Sequence, residues 1–300
     1  MRISQNFIAI RQNVCYTSVM NKQRYSQITV ISALILALCL CTLSFVACDK
    51  RETPCVDYTL DNDFYVEFSN TQDYRIFCPK IDKSQPITAK YGLIFYVGTG
   101  IDASYYDYLG TALAKQGYLT LISKNTFAYA QYQTTESAFS MYPDVKFFVG
   151  GHSQGGGCAI RRAKENSSSL LGALLFAPIA YRHKLLDKDN NPVLDDNGIE
   201  IYVKDSLVDA ALPVLLLQAS ADRVLSDDIK ADALSRLNKD RTQQHTLSPA
   251  SHMSFSTFDD DAVLALFNGD GDGITQQEKD AQRIDTVQLS LAYMRAVVLK

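Results

Sequence analysis

Histidine is scarce in this chain: His152, His183, His245 and His252 are the whole supply among 300 residues. Any chemistry that needs an imidazole must draw on those four positions. No set of cysteines and histidines has the spacing of zinc ligands, which argues against the ordinary zinc modules. Positive charge is also in short supply. The 29 lysines and arginines are outnumbered by 33 aspartates and glutamates, for a net charge of −4. There is neither a basic stripe nor a base-stacking motif, so nucleic-acid binding is excluded. No metal and no cofactor is expected.

Hydrophobic residues make up 47% of the chain, enough for one large domain with a substantial core. Part of that content is not core. Ile28 to Ala47 is almost uninterrupted apolar sequence, preceded by Lys22 and Arg24 and followed by Cys48. A basic region, an apolar stretch and a small residue before a processing point describe a secretory signal. Cys48 at that point resembles the lipobox cysteine of bacterial lipoproteins, which is lipidated and becomes the mature N-terminus. The competing reading is an uncleaved anchor, since about 20 apolar residues can span a bilayer. The lipoprotein reading is preferred, and it places the protein in the bacterial cell envelope, held to a membrane from outside the cytoplasm. Met20-Asn21-Lys22 would make a conventional start for such a signal, so Met20 is taken as the expected initiator.

Residues 1–48 are therefore read as N-terminal extension and signal, 49–54 as a polar tether, and 55–300 as the folded domain. Of the seven cysteines, Cys55, Cys78 and Cys158 fall in that domain. Cys158 reads as a buried small apolar residue. An oxidising compartment would permit a disulfide between Cys55 and Cys78.

Val56–Leu60, Phe64–Phe68 and Tyr74–Phe77 read as N-terminal strands. Beyond them strands alternate with helical patterns: Leu93–Val97, Tyr118–Ile122, Val145–Val149, Leu170–Phe176, Pro213–Gln218 and Gln243–Ser248. Alternation of this kind predicts an α/β fold, a mostly parallel doubly wound sheet with helices on both faces. Functional residues then belong at the carboxyl ends of the strands. Residues 181–209 interrupt the alternation as a polar insertion, expected to be a hairpin and able to serve either as a lid or as a surface loop. Asn268 to Ile274 superficially resembles a calcium loop. Its twelfth position is Lys279, however, which cannot bind the ion. Thr275-Gln276-Gln277-Glu278 reads as a capping box opening the last helix.

Gly151-His152-Ser153-Gln154-Gly155 is the most informative feature. It stands between an apolar strand and a helix that opens on small residues, the setting in which a serine is held on a tight elbow with its hydroxyl exposed. A serine hydroxyl needs a base to take its proton and a third group to orient that base. Among the histidines, His152 is expected to point away from the nucleophile's face, His183 to sit in a solvated loop and His245 to serve as strand scaffold. His252 lies in a loop just past the strand ending near Ser248, where the base is expected. An aspartate such as Asp222, following the strand Pro213–Gln218, can be a turn former or early helix cap, but with a serine elbow before it and a loop histidine after it Asp222 is expected as the acid. Asp259, Asp260 and Asp261 read as a helix N-terminus. The expected triad is Ser153, Asp222 and His252. Backbone N–H groups of Gln154 and Thr99, with Gly100 as alternate, are the expected oxyanion hole. Tyr105, Tyr106 and Tyr108 are expected mainly as helix packing, with part of the set able to line the acyl cleft.

With these residues the chain resembles the α/β-hydrolase superfamily, in particular compact bacterial members related to dienelactone hydrolases and cutinase-like esterases. The likeness runs from Gly98-Thr99-Gly100 through Tyr142-Pro143-Asp144-Val145 and the elbow to Ala219-Ser220-Ala221-Asp222 and Ala250-Ser251-His252. It departs where Val97 precedes Gly98 in place of a common histidine, and at Gln154 where leucine or methionine is frequent. The resemblance implies hydrolysis of small carboxylic esters through an acyl-enzyme. The same triad would serve a thioesterase, lactonase, amidase or acyltransferase. A non-catalytic envelope lipoprotein on the same scaffold is the reading from another class.

Overall fold

The computed structural model describes residues 64–81, 84, 89–126, 137–166, 168–180, 182–189, 191–259, 264 and 267–299. The expected signal segment, Cys48, the tether, the strand Val56–Leu60 and Cys55 lie outside the described residues, as do Asp260 and Asp261.

Among the described residues, eight strands form one sheet in the order β1-β2-β4-β3-β5-β6-β9-β10. The first two, β1 (Tyr65–Asn70) and β2 (Tyr74–Lys80), are antiparallel to each other, and β2 is antiparallel to β4 (Tyr118–Ser123). From β4 onward every pairing is parallel: β3 (Tyr91–Tyr96), β5 (Lys146–His152), β6 (Leu170–Phe176), β9 (Val214–Ala219) and β10 (Thr242–Leu247). The interior strands are covered on both faces, and their sequences are accordingly near-continuous apolar runs rather than alternating ones. Every residue of β4 is buried. At one edge β10 reads Thr-Gln-Gln-His-Thr-Leu and is largely open to solvent, which suits a strand with one unpaired side.

The chain passes from β3 outward to β4 and then returns to β5 on the other side of β3. That reversal opens a crevice at the carboxyl ends of β3 and β5, where ligands bind in sheets of this type. Helices α1 (Asp107–Lys115) and α4 (Gln276–Val298) contribute to the apolar cluster on one face, and α2 (Gln154–Glu165) to the cluster on the other. Helix α3 (Asp227–Ser235) is capped by Ser226 Oγ, which accepts from the Ile229 N–H. Thr275 and Glu278 form the expected capping box at the start of α4.

Two segments differ from the sequence reading. Strand β5 runs on to His152, past the expected end at Val149. Gly150 and Gly151 are thus strand residues rather than turn residues. A Cβ on Gly150 would meet the Leu174 carbonyl oxygen of β6 at 2.9 Å. The insertion is a hairpin, as expected, built on β7 (Arg182–Lys184) and β8 (Tyr202–Lys204). It is not polar throughout, since Leu186, Leu194 and Ile199 are exposed. Asp187 and Asp195 stabilise its turns, each accepting two backbone N–H bonds, from Asp189 and Asn191 and from Asn197 and Ile199. His183 does not lie in a solvated loop. It is on β7, with Nε2 2.7 Å from the buried Asp205 carboxylate, which also receives Lys164 Nζ of α2 at 2.9 Å.

Candidate active site

Ser153 occupies the turn between β5 and α2 with φ 55° and ψ −121°. A non-glycine residue in that region costs on the order of 1–3 kcal/mol and persists only where its surroundings enforce it. Here they do. The Ser153 N–H donates to the Phe176 carbonyl at 2.9 Å, and its own carbonyl accepts from Gly156 N–H and Ile179 N–H, each at 3.0 Å. The flanking glycines are required by contact. A Cβ on Gly151 would lie 2.3 Å from the Gly155 carbonyl oxygen, and one on Gly155 2.3 Å from the Tyr96 carbonyl oxygen. The pentapeptide is therefore the sequence of an elbow packed directly on the backbone of β3.

Asp222 and His252 come together from loops after β9 and β10. Asp222 Oδ2 lies 2.9 Å from His252 Nδ1, and both side chains are 1% exposed. With a carboxylate at Nδ1, that nitrogen is assigned the proton, which leaves the Nε2 lone pair available as a base. Asp222 Oδ1 accepts from the Val224 and Leu225 N–H groups at 2.9 and 2.8 Å. Asp222 thus holds its own turn with one oxygen and meets His252 with the other. Burial pushes the Asp222 carboxyl up. The His252 hydrogen bond and charge, the Leu225 N–H and Lys230 together outweigh it and hold the group below the usual carboxylate value. Ser153 Oγ makes no hydrogen bond among the described residues, so the serine–histidine bond of the expected triad is not closed. Catalytic hydrogen bonds in substrate-free enzymes are commonly long and tighten on binding.

The expected oxyanion residues meet at the mouth of the crevice, where the Thr99 hydroxyl bonds to Gln154 Oε1. Gln154 is the first residue of α2, and N–H groups in a first helical turn have no intrahelical partner. Gly100, the alternate donor, gives its N–H to the Thr126 carbonyl at 3.3 Å, which favours Thr99. Its neighbour Gly98 donates its N–H to the Tyr106 hydroxyl at 3.1 Å, and that hydroxyl lies 2.8 Å from His152 Nδ1.

This corrects the expectation for His152. Its ring does not turn away from the site but lies 4.7 Å, centroid to centroid, from the ring of His252. Because Tyr106 accepts from Gly98 and donates to His152 Nδ1, the His152 proton is assigned to Nε2, which has no hydrogen-bond partner within the described structure. Burial, and next the positive charge that His252 can carry, hold His152 well below the ordinary histidine value, against a small opposing contribution from the His252 backbone. His152 is therefore a neutral imidazole packed against the candidate base.

Residues that sequence reasoning missed hold the His252 loop. Gln282 of α4 brackets Ser251, accepting from its N–H at 3.0 Å and donating to its carbonyl at 2.9 Å. Arg283 Nε donates to the Ser256 carbonyl and Tyr108 Oη to the Phe255 carbonyl. Asp270 accepts from the backbone of both His252 and Met253. Their partners lie 17 to 147 residues away in sequence, and no local pattern marks them. Asp270 belongs to the segment that resembles a calcium loop, yet its carboxylate is directed at backbone amides. Among the described residues, no cluster of three or more histidine, cysteine, aspartate or glutamate side chains is placed to hold a metal ion. Cys158 is buried on α2, and burial pushes its thiol up to about 12. Cys78 is buried on β2. His245 contacts Gln243 on β10.

A cavity of about 540 Å³ borders Asn268, Asp270, Asp272 and Lys279, and none of the expected triad or oxyanion residues lines it. The crevice at Ser153 is the site the chemistry indicates.

No curated protein matches this chain. Solved structures similar to it include the esterase domain of a Rhodothermus marinus protein (15% identity, 63% of this chain and 90% of that one, TM-score 0.45). Others are an esterase from Mycobacterium tuberculosis (17%, 70% and 92%, 0.43) and a monoacylglycerol lipase from Paleococcus ferrophilus (15%, 56% and 88%, 0.43). Residues 92–200, from β3 through the elbow into the hairpin insertion, match the model of a family described as the alpha/beta hydrolase family. The chain is similar to that family over those residues, which include the switch point between β3 and β5 and the positive-φ serine between β5 and α2.

Proposed function

We propose that this protein is a serine hydrolase acting on small carboxylic esters through an acyl-enzyme. The observation that carries the reading is a positive-φ serine at the end of β5 in a fold that also buries an Asp222–His252 pair at the ends of β9 and β10. Ser153 Oγ attacks the carbonyl carbon while His252 Nε2 takes its proton, and negative charge develops on the carbonyl oxygen. The N–H groups of Thr99 and Gln154 receive that charge. Collapse of the tetrahedral intermediate expels the alcohol, which takes the proton from His252, and leaves an acyl group on Ser153. Water, deprotonated by His252, then repeats the sequence and releases the acid. Asp222 keeps the His252 proton on Nδ1 and compensates the imidazolium.

Export and lipidation at Cys48 complete the proposal. They rest on the basic, apolar and small-residue order before that cysteine and would hold the enzyme at an envelope membrane. Metabolic labelling with a fatty-acid analogue should mark the wild type and not Cys48→Ser.

The activity is tested by treating the purified full chain with a fluorophosphonate. One adduct per chain is expected by intact mass, absent from Ser153→Ala. No adduct on folded wild type overturns the reading and favours a binding module on the hydrolase scaffold. If labelling succeeds, a panel of oxygen esters, thioesters, lactones and amides identifies the bond cleaved, and oxygen esters should turn over fastest.

A further inference from the structure

The acid and base of the proposed triad stand on separate loops, and one buried side chain outside the triad grips both. Asp270 is 1% exposed. Its Oδ1 accepts from the N–H of Arg223, the residue after Asp222, at 3.0 Å and from the N–H of His252 at 3.2 Å. Its Oδ2 accepts from the N–H of Met253 at 2.9 Å. A single carboxylate thus receives three backbone amides from the two segments whose separation sets the Asp222–His252 distance.

The surrounding turn serves that arrangement. Asn268, Gly269 and Gly271 have φ of 58°, 65° and 90°, a left-handed region that asparagine and glycine adopt at least cost. Asn268 Nδ2 donates to the Arg223 carbonyl, and Arg223 Nη1 donates to the Gly269 carbonyl, each at 3.1 Å. The loop therefore closes around Arg223 from both sides while Asp270 reaches past it to His252. Hydrogen bonds to an ionised acceptor are roughly twice as strong as neutral ones. A carboxylate is also acceptor-only, so it can face three donors without conflict.

We propose that Asp270 is a positioning residue of the hydrolase, a clamp that fixes the His252 backbone relative to the Asp222 loop and so holds the base in register with Ser153. The proposal rests on the triad reading above. It assigns the Asn268–Ile274 segment a role in alignment of the site rather than in binding an ion.

The test compares wild type, Asp270→Asn and, as a control outside this segment, the exposed Asp240→Asn, as full chains. An asparagine in place of Asp270 keeps the shape but turns one acceptor into a donor facing an amide. Asp270→Asn should label with fluorophosphonate at least tenfold more slowly than wild type. On a responsive ester, kcat should fall by a similar factor with KM within twofold, because Asp270 does not reach substrate. Hydrogen exchange should accelerate in 220–225 and in 250–256 together while β3 and β5 stay protected, and Asp240→Asn should match wild type throughout. A folded Asp270→Asn that labels at the wild-type rate, or that loosens one loop only, overturns the clamp. Failure of wild type to label at all overturns the triad reading, and the positioning role with it, whatever the exchange shows. Should Asp270→Asn not fold, the wild-type amides of Arg223, His252 and Met253 decide. Protection of all three supports the clamp, and exchange at the rate of free amides overturns it.

Discussion

The nucleophile side and the acid–base side of the proposed site are built in opposite ways. On the nucleophile side, strand, elbow and helix are one continuous segment, Lys146 to Glu165. Ser153 is forced into its conformation by glycines a few residues away and by the neighbouring strands β3 and β6. On the acid–base side, Asp222 and His252 sit 30 residues apart and depend on Asp270, Gln282 and Arg283 to keep their loops in place. A local device can be copied as a short motif. A device assembled from remote contacts cannot, because each contact exists only once the whole sheet has formed.

The contrast can be broken from the local side with the largest effect. Gly155→Ala drives a Cβ into the carbonyl oxygens of Tyr96 and Val97, at 2.3 and 2.4 Å. Neither can move without shifting β3, so denaturant unfolding should show a loss of about 3 kcal/mol. From the remote side, Gln282→Leu strips the Ser251 N–H and carbonyl of the amide that bonds to both. The expected cost is about 2 kcal/mol, and hydrogen exchange should rise in 250–256 but not in 151–156. Equal acceleration of both segments would erase the distinction.

Tyr106→Phe should cost about 1 kcal/mol, because the Gly98 N–H and His152 Nδ1 lose the hydroxyl they share. It should slow labelling through the Thr99 loop while leaving the Asp222–His252 contact unchanged. The last effect is electrostatic and absent at neutral pH. His152 is held below its ordinary value by burial and by His252, so the unfolded chain binds the proton more readily than the native one. Its contribution is intact above about pH 6.5 and is lost as pH falls below that. Thermal melts should show His152→Gln flattening the acid-side slope by at most about 1.4 kcal/mol per pH unit.

Much of the nucleophile side is legible in the sequence. The apolar run before Gly151, the small residues after Gln154 and the alternation of strands and helices each follow from short-range periodicity, and β6 matches its expected range from Leu170 to Phe176. The continuation of β5 through Gly150 to His152 is not legible. A glycine pair reads as a turn unless one knows that Leu174 of β6 leaves no room for a side chain. The orientation of His152 is missed for a related reason, since its place beside Tyr106 and His252 depends on loops from other strands. Asp270 is hidden among residues that spell a turn and an acidic cluster, and its three partners are distant in sequence. His183 looks solvated because Asp205, its partner, is 22 residues on.

Whether Ser153, His252 and Asp222 act as one unit is decided by a double-mutant cycle. Hydrolysis of an activated short-chain ester would be compared for His252→Ala, Asp222→Ala and the double variant, each at saturating substrate. Residues of a unit are strongly non-additive in kcat, so the double variant should be no slower than His252→Ala alone. Losses that multiply would mean that Asp222 acts independently of His252 and that the three residues are not a triad.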